Sequence, residues 1–157
     1  LRLIQGNFAS EETIAQVGDV DAAMFFDTLL HQVNPDWNVV LELYAPKVKH
    51  FLIFNQQFTA SEHTVRLFDL GKEEYFRNVP HTPNEAPYDS VFEKMYEMHP
   101  QHNRIYRDIH NVWQWGITDD DLVSVMKSLG FTIQLYQNRG RFGDLENFQN
   151  HAFMFSR

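Results

Sequence analysis

The chain contains no cysteine, and this absence limits the chemistry that it can perform. Without cysteine there is no disulfide framework, no thiolate nucleophile and no cysteine-ligated zinc. Such a composition fits a reducing compartment, and we therefore expect a cytoplasmic protein.

Basic residues are also few, because 13 Lys and Arg stand against 21 Asp and Glu, for a formal net charge of −8. This charge opposes binding to nucleic-acid phosphates and to anionic lipid surfaces. No run of about 18 apolar residues is present, so we predict no membrane span. We expect a soluble protein with neither a nucleic-acid nor a membrane partner.

Apolar residues are abundant enough for one core, since 43% of the 157 residues are hydrophobic and 15% are aromatic. One domain over residues 1–157 is the expected organisation. The chain enters directly into the apolar run "LRLIQGNF", which predicts a strand over Leu1–Phe8 that ends in a loop at Gly6 and Asn7. Because this strand opens the chain, we interpret the domain as incomplete at its N-terminal side.

Strands and helices then alternate. The almost continuous apolar run Val20–Phe26 is typical of a parallel strand that is covered on both faces. Short helices are predicted after the N-cap Ser10 and between Pro35 and Pro46, and the run "HFLIFNQQF" predicts a further strand that is followed by amides. This alternation predicts an α/β fold with βαβ crossovers and a mostly parallel sheet.

The second half of the chain has a different pattern. Residues 59–115 read as polar and aromatic helical pieces, which predict a helical cap inserted between two elements of the sheet. A helix is predicted to begin at the N-cap Thr118 and to end at Gly130, because the sequence has clear start and stop signals there. The runs "FTIQLYQ" and "HAFMFSR" predict an antiparallel C-terminal hairpin whose connection is the glycine-containing "NRGRFGDLENFQN".

Three fragments resemble class I S-adenosylmethionine-dependent methyltransferases. Asp21 in "VDAAMFFD" resembles the acidic start of that family's fourth strand, "LLHQV" resembles the segment after it, and "LYAPKVKHFLIF" resembles the helix and fifth strand. The resemblance covers residues 1–58 and 118–157. It implies a Rossmann-like methyltransferase sheet that begins at the third strand, with the N-terminal strands missing.

The family's glycine-rich first loop and the acidic residue that ends its second strand have no counterpart here. The resemblance therefore implies methyl transfer to a small-molecule acceptor, with this chain supplying the substrate half and part of the cofactor pocket. It also implies that the chain alone binds S-adenosylmethionine weakly or not at all. The alternative is a non-catalytic binding or oligomerisation module derived from the same fold.

The resemblance also implies cofactor-binding residues. The end of the fourth strand lies beside the cofactor in this family, which would place Phe26 and Asp27 there. The end of the third strand would bring Asn7 to the adenine amino group and Phe8 against the ring. Alternatively, Asn7 is a turn residue and Asp27 caps the following helical turn.

His31 is the candidate catalytic base. It follows Asp27 by four residues and would share a helical face with it. Imidazole titrates near neutrality, so His31 could remove a proton from an acceptor that must lose one. The alternative is that His31 is hydrogen-bonded to a backbone carbonyl.

Substrate contacts are expected from two regions. The amides of Asn55, Gln56 and Gln57 follow the fifth strand and could hydrogen-bond a substrate, unless they only make a loop polar. The insert supplies cationic and aromatic side chains that could form a lid over a small polar or anionic molecule. The candidates are Arg66, Arg77, Trp113 and Trp115. The alternative is that these side chains only pack and solvate the cap. His99 and His102 have metal-ligand spacing but no supporting acidic ligands, so we expect no metal.

The apolar fragment "AAMFF" would lie at an open sheet edge if the first strand of the family is missing. An open edge invites another strand. We therefore expect a homodimer or a complementary N-terminal segment, unless Leu1–Phe8 folds back to fill the place.

Overall fold

The computed structural model describes residues 2–81 and 88–157. The helices in these ranges are α1 (Glu11–Ala15), α2 (Trp37–Tyr44), α3 (Lys72–Asn78) and α4 (Asp119–Ser128). The strands are β1 (Val20–Phe26), β2 (Val48–Phe58), β3 (Val65–Arg66), β4 (Trp115–Gly116), β5 (Thr132–Phe142) and β6 (Leu145–Ser156). Short 3-10 turns connect several of them, including one at Leu29–His31.

Capping side chains determine where two helices begin. The Ser10 hydroxyl accepts a hydrogen bond from the Thr13 amide at 3.2 Å, and the Thr118 hydroxyl accepts one from the Asp121 amide at 3.4 Å. Each bond satisfies an amide that the first helical turn leaves unpaired. The predicted helices after Ser10 and Thr118 are confirmed.

The main sheet has four strands in the order β1–β2–β6–β5. β1 and β2 are parallel, whereas β6 is antiparallel to both β2 and β5. The sheet is therefore mixed, and the expectation of a mostly parallel sheet is wrong for the described residues. The reason is that β6 lies between β2 and β5, so two of the pairings are antiparallel. The antiparallel C-terminal hairpin is confirmed.

The predicted strand at Leu1–Phe8 is wrong, because residues 2–8 contain no strand and Leu1 lies outside the described residues. The Phe8 ring instead packs 6.3 Å from the Phe25 ring, and the Tyr44 hydroxyl donates to the Phe8 carbonyl at 2.9 Å. The apolar side chains of this run are not all buried, since Leu3 is 86% exposed. The run therefore does not fold back to pair with β1.

The glycine-containing segment 138–150 is mostly strand, although the sequence pattern predicts a connection. β5 continues to Phe142 and β6 starts at Leu145, which leaves Gly143 and Asp144 as the turn. A register shift near Gly140 accommodates its φ of 85° within the ladder. Glycine marks a bulge here rather than a loop.

One face of the main sheet carries the first hydrophobic core. α2 and α4 pack on this face through Trp37, Val40, Leu41, Leu122 and Met126, which meet the strand residues Phe51, Ile53, Phe153 and Phe155. The inserted residues 59–115 contribute α3 and the antiparallel pair β3–β4. They form a second core with β6 and the turn after β1; its members include Leu30, Phe68, Tyr75, Val91, Trp113 and Phe148.

The other face of the sheet is apolar and exposed. Met24 is 63% exposed, Phe26 56% and Leu135 46%. We call this surface the open face; it consists of Met24, Phe26, Leu52, Phe54, Leu135, Ala152 and Met154. Most of these residues line a shallow groove of about 520 Å³. β1 is thus not covered on both faces within the described part of the chain.

Across residues 2–81 and 88–157, no helix is both long and apolar enough to cross a membrane.

Candidate functional site

Asp27 ends β1 with a sharp change of backbone direction. Its φ is 52°, a left-handed value that aspartate tolerates better than most residues. The Asp27 amide donates to the Phe54 carbonyl at 2.9 Å, and its carboxylate accepts from the Gln56 side-chain amide at 2.6 Å. Gln56 also lies 3.3 Å from the Asn150 side-chain oxygen. Three strands therefore fix the carboxylate at the carboxyl end of β1.

His31 closes the 3-10 turn that follows. Its Nδ1 atom lies 2.9 Å from the Val112 carbonyl oxygen, and its ring meets the Trp113 ring edge-on at 6.1 Å. Burial lowers the pKa of His31, and the Val112 hydrogen bond and the Asp27 charge partly oppose that decrease. The neutral ring donates through Nδ1, so Nε2 is the basic atom.

The segment that carries Val112 is held firmly. Gln114 is fully buried, and its side-chain amide donates to the Ile109 carbonyl at 2.7 Å. Its backbone amide donates to the Leu30 carbonyl at 3.1 Å, next to His31. The buried Tyr75 hydroxyl donates to the Trp113 carbonyl at 3.0 Å. The position of the Val112 carbonyl against His31 is therefore determined by a buried network on both sides of it.

Arg66 and Trp115 take part in holding the insert in place. Arg66 pairs with Asp108 at 2.6 Å and donates to the Gln114 side-chain oxygen at 3.1 Å. Its guanidinium lies 5.2 Å from the Trp115 ring centroid, and the Trp115 indole donates to the Gln32 carbonyl at 2.6 Å. These contacts are within the protein and tie the insert to the turn that contains His31.

Arg77 lies elsewhere, on the exposed side of α3. It pairs with Glu74 at 2.6 Å and with Glu73 at 3.5 Å, and its side chain is 60% exposed. The structure thus brings Trp113 to His31 but does not bring Arg77 there.

The three amides at the end of β2 point to alternate faces of the sheet. Asn55, Gln56 and Gln57 lie inside the strand and are buried, so they do not form a polar loop. Gln56 reaches Asp27, whereas Asn55 pairs across the ladder with His151. The Asn55 Oδ1 atom and both amide atoms of Gln57 have no hydrogen-bond partner within the described residues. Only Gln56 of the three contacts the predicted site.

Phe8 lines a groove of about 390 Å³ along the free edge of β1, together with Phe25, Tyr44 and Thr28. The Thr28 hydroxyl is buried and has no hydrogen-bond partner in the described chain. Asn7 lies just outside, where its side chain accepts from the Ala9 amide at 3.0 Å, as a turn residue does. Thr28 was not singled out by sequence, because a lone threonine after a strand carries no pattern.

Phe26 lies on the open face, in a groove that it shares with Asp27 and Leu52. The predicted cofactor residues Phe8 and Phe26 therefore line different grooves, with the end of β1 between them. The Val112 carbonyl is a second feature that sequence could not reveal, since it is 81 residues from His31 along the chain.

No group of three or more His, Cys, Asp or Glu residues able to hold a metal ion occurs in the ranges that the structure describes. His99 and His102 are neighbours, with ring centroids 4.4 Å apart, but they lie within the exposed part of the insert.

No protein-family model matches the sequence, and no curated protein matches it. Two solved structures are similar: the N-terminal domain of EvdMO1 in the presence of SAH (S-adenosylhomocysteine) and D-fucose, and the same domain with SAH bound. Both have a TM-score of 0.51, at 13% and 14% sequence identity. The matches cover 94% of this chain but only 52% and 51% of those chains, so this chain spans about half the length of its neighbours. The chain thus shares an α/β fold with a domain that binds SAH.

Proposed function

We propose that this chain is part of an S-adenosylmethionine-dependent methyltransferase that acts on a small molecule. It supplies the acceptor-binding half and part of the cofactor pocket. The observation that carries the proposal is the placement of Asp27 and His31 at the carboxyl end of β1, on a fold that binds SAH in the EvdMO1 domain. The carboxyl ends of parallel strands are where α/β folds bind ligands.

The groove beside β1 suits part of such a cofactor. Phe8 offers an aromatic face, and the Thr28 hydroxyl is a buried polar atom that lacks a partner in the described chain. A buried hydroxyl of this kind is normally hydrogen-bonded. Phe8 and Thr28 would contact the adenosine part from this groove, with Asn7 at its rim and with Asp27 and Phe26 beyond the end of β1. S-adenosylmethionine, when bound, supplies an electrophilic methyl group.

His31 would act on the acceptor. Its Nε2 atom would take the proton that an acceptor oxygen or nitrogen loses on methylation, and S-adenosylmethionine would supply the methyl group and retain the carbon–sulfur electron pair. The Val112 carbonyl holds the ring through Nδ1, and the nearby Asp27 carboxylate stabilises the imidazolium that results. Because Gln56 and Asn150 fix Asp27, the charge is already in place.

Three of the other predicted substrate residues, Trp113, Arg66 and Trp115, would shape the site without contacting the reacting atoms. Trp113 forms the wall beside His31, and Arg66 and Trp115 keep that wall against the turn that contains His31. Asn55 and Gln57 are buried away from Asp27, and Arg77 is remote, so we assign them no contact with the acceptor.

We also propose a polypeptide partner for the open face and the free edge of β1. The isolated chain would pair with a second copy; a complementary segment would take that place in a longer protein. The exposure of Met24 and Phe26 supports this proposal.

The alternative proposal is a binding or oligomerisation module without catalysis. Its support is the same open face. On this view the polar groups around His31 only stabilise the insert.

A titration of the ¹⁵N-labelled chain with SAH, followed by two-dimensional NMR, tests the first proposal. We expect shifts at the amides of Phe8 and of residues 26–31, with weak affinity because the loop for the methionine end is absent. Thr28→Val should weaken binding, whereas Thr132→Val, which removes an exposed hydroxyl, should not. An unchanged spectrum at millimolar SAH would contradict a cofactor groove at Phe8 and Thr28.

A further inference from the structure

A cleft of about 590 Å³ lies between the end of α3 and the β5–β6 turn. One wall consists of Phe76, Val79, Pro80 and His81, and the other of Phe142, Gly143, Asp144 and Leu145. The two walls are tied together, because the Asn147 side-chain amide donates to the Asn78 side-chain oxygen at 2.8 Å. A volume of this size is within the usual range of small-molecule sites.

The cleft presents aromatic rings from both sides. The Phe76 and His81 rings pack with centroids 4.5 Å apart on one wall, and Phe142 stands on the other. The faces of aromatic rings are electron-rich, and the C–H groups of a saturated ring carry slight positive charge. Such walls therefore suit the C–H face of a saturated ring.

The polar groups of the cleft accept hydrogen bonds. The Nδ1 atom of His81 lies 3.3 Å from the Val79 carbonyl, so the neutral ring donates there and Nε2 is left to accept. Asp144 is exposed and makes no ion pair with any residue in the described ranges. Hydroxyl groups can donate to both acceptors.

Three arginines of the insert are engaged in ion pairs. Arg66 pairs with Asp108, Arg107 with Asp69, and Arg77 with two glutamates of α3. Among the residues that the structure describes, the lining of the cleft includes the Asp144 carboxylate and no lysine or arginine. Asp144 therefore disfavours an anionic ligand relative to a neutral hydroxylated ring.

The cleft is close to His31. Trp113 stands between them, with its ring centroid 5.6 Å from that of Phe142 and 6.1 Å from that of His31. A ligand in the cleft is thus separated from His31 by one indole ring and lies beyond hydrogen-bond reach of it.

We propose that this cleft binds a neutral hydroxylated ring of monosaccharide size. The Trp113 indole separates the cleft from His31, so this binding site is distinct from the proposed methyl transfer and the preference rests on the cleft alone.

Two sugars of the same ring configuration test the preference. D-fucose has a methyl group at carbon 6, where D-galacturonate has a carboxylate. We expect D-fucose to shift the amides of Phe76, Phe142 and Gly143 in two-dimensional NMR spectra of the full chain, with D-galacturonate binding about fivefold more weakly because of Asp144. Asp144→Asn should abolish this difference. Asp120→Asn removes the same formal charge on α4, outside the cleft, and should preserve it.

The proposal is overturned if D-fucose shifts no amide of the cleft, if the Asp144→Asn protein still discriminates against D-galacturonate, or if D-galactosamine binds more tightly than D-fucose. The last result would assign the cleft to cations. A separate titration with SAH distinguishes the two proposals: shifts by D-fucose without any by SAH would support the cleft and contradict the cofactor groove at Phe8 and Thr28, and the converse would overturn the cleft alone.

Discussion

The Nδ1 atom of His31 lies 2.9 Å from the carbonyl oxygen of Val112. A carbonyl oxygen can only accept, so this contact places the proton of the neutral ring on Nδ1. Burial at the same time lowers the pKa of His31. The contact therefore provides a neutral imidazole of defined tautomer at the end of β1.

The first prediction concerns that tautomer. Long-range ¹H–¹⁵N NMR spectra at neutral pH should show His31 protonated on Nδ1, and a pH titration should give a midpoint below the ordinary value of 6.5. A ring protonated on Nε2 would contradict the assignment of Nε2 as the base.

The same pKa has a consequence for stability. Because the folded state binds this proton less readily than the unfolded state, the free energy of unfolding should fall as pH decreases from 6.5 toward the lower folded pKa. His31→Gln should reduce that dependence, measured as denaturant midpoints at about pH 5 and 7. An equal pH dependence in both proteins would contradict a lowered pKa.

The second prediction distinguishes the role of His31 from that of Asp27. In the longest natural polypeptide that contains this sequence, His31→Ala should lower kcat for methyl transfer about 100-fold, as removal of a general base does. Asp27→Asn should chiefly weaken binding of cofactor or acceptor. His63→Ala, at a side chain that is 82% exposed, is the control. Unchanged kinetics in the His31 and Asp27 variants would assign both residues to structure.

The third prediction compares two arginines of the insert. Arg66→Lys should lower the free energy of unfolding by about 1–3 kcal/mol, because lysine cannot replace the planar set of donors that contacts Asp108 and Gln114. Arg77→Lys should change it by less than about 0.5 kcal/mol, since its ion pairs are exposed. Chemical denaturation measures both, and equal effects would refute a structural role for Arg66.

The fourth prediction concerns the open face. Light scattering of the isolated chain should give about twice 18.6 kDa at micromolar concentration. Met24→Lys should yield the monomer with little change in stability, because Met24 is 63% exposed. Leu3→Lys, the same kind of change at a residue that is 86% exposed, should leave the dimer intact. A wild-type monomer would argue against self-association.

The sequence correctly predicted the helix starts and the apolar strands, which depend on residues that are close together in the chain. Ser10 and Thr118 cap the helices that they were expected to cap, and the apolar runs around Phe25 and Phe51 form strands. The fold is correspondingly α/β, and its likeness to an SAH-binding domain agrees with the resemblance at the level of fold.

Sequence patterns failed where pairing partners decide the structure. Residues 2–8 have a strand-like composition but no neighbouring strand, and they remain irregular. The parallel sheet was overestimated because hydrophobic runs do not reveal that β6 inserts beside β2. The site around His31 was only partly predictable, since Val112 and Gln114 reach it from the far side of the insert.

The internal position of β6 also affects how the protein is made. His50 pairs across the ladder with Ser156, and their side chains are hydrogen-bonded although 106 residues separate them. During translation, β2 is synthesised long before the strand that protects its edge, and pairings over such distances are slow to form. Until residues 145–156 have left the ribosome, the edge of β2 opposite β1 is unpaired and exposed to chaperones and to other nascent chains. Slow synthesis anywhere between β2 and β6 should therefore prolong this exposure and reduce the yield of folded protein.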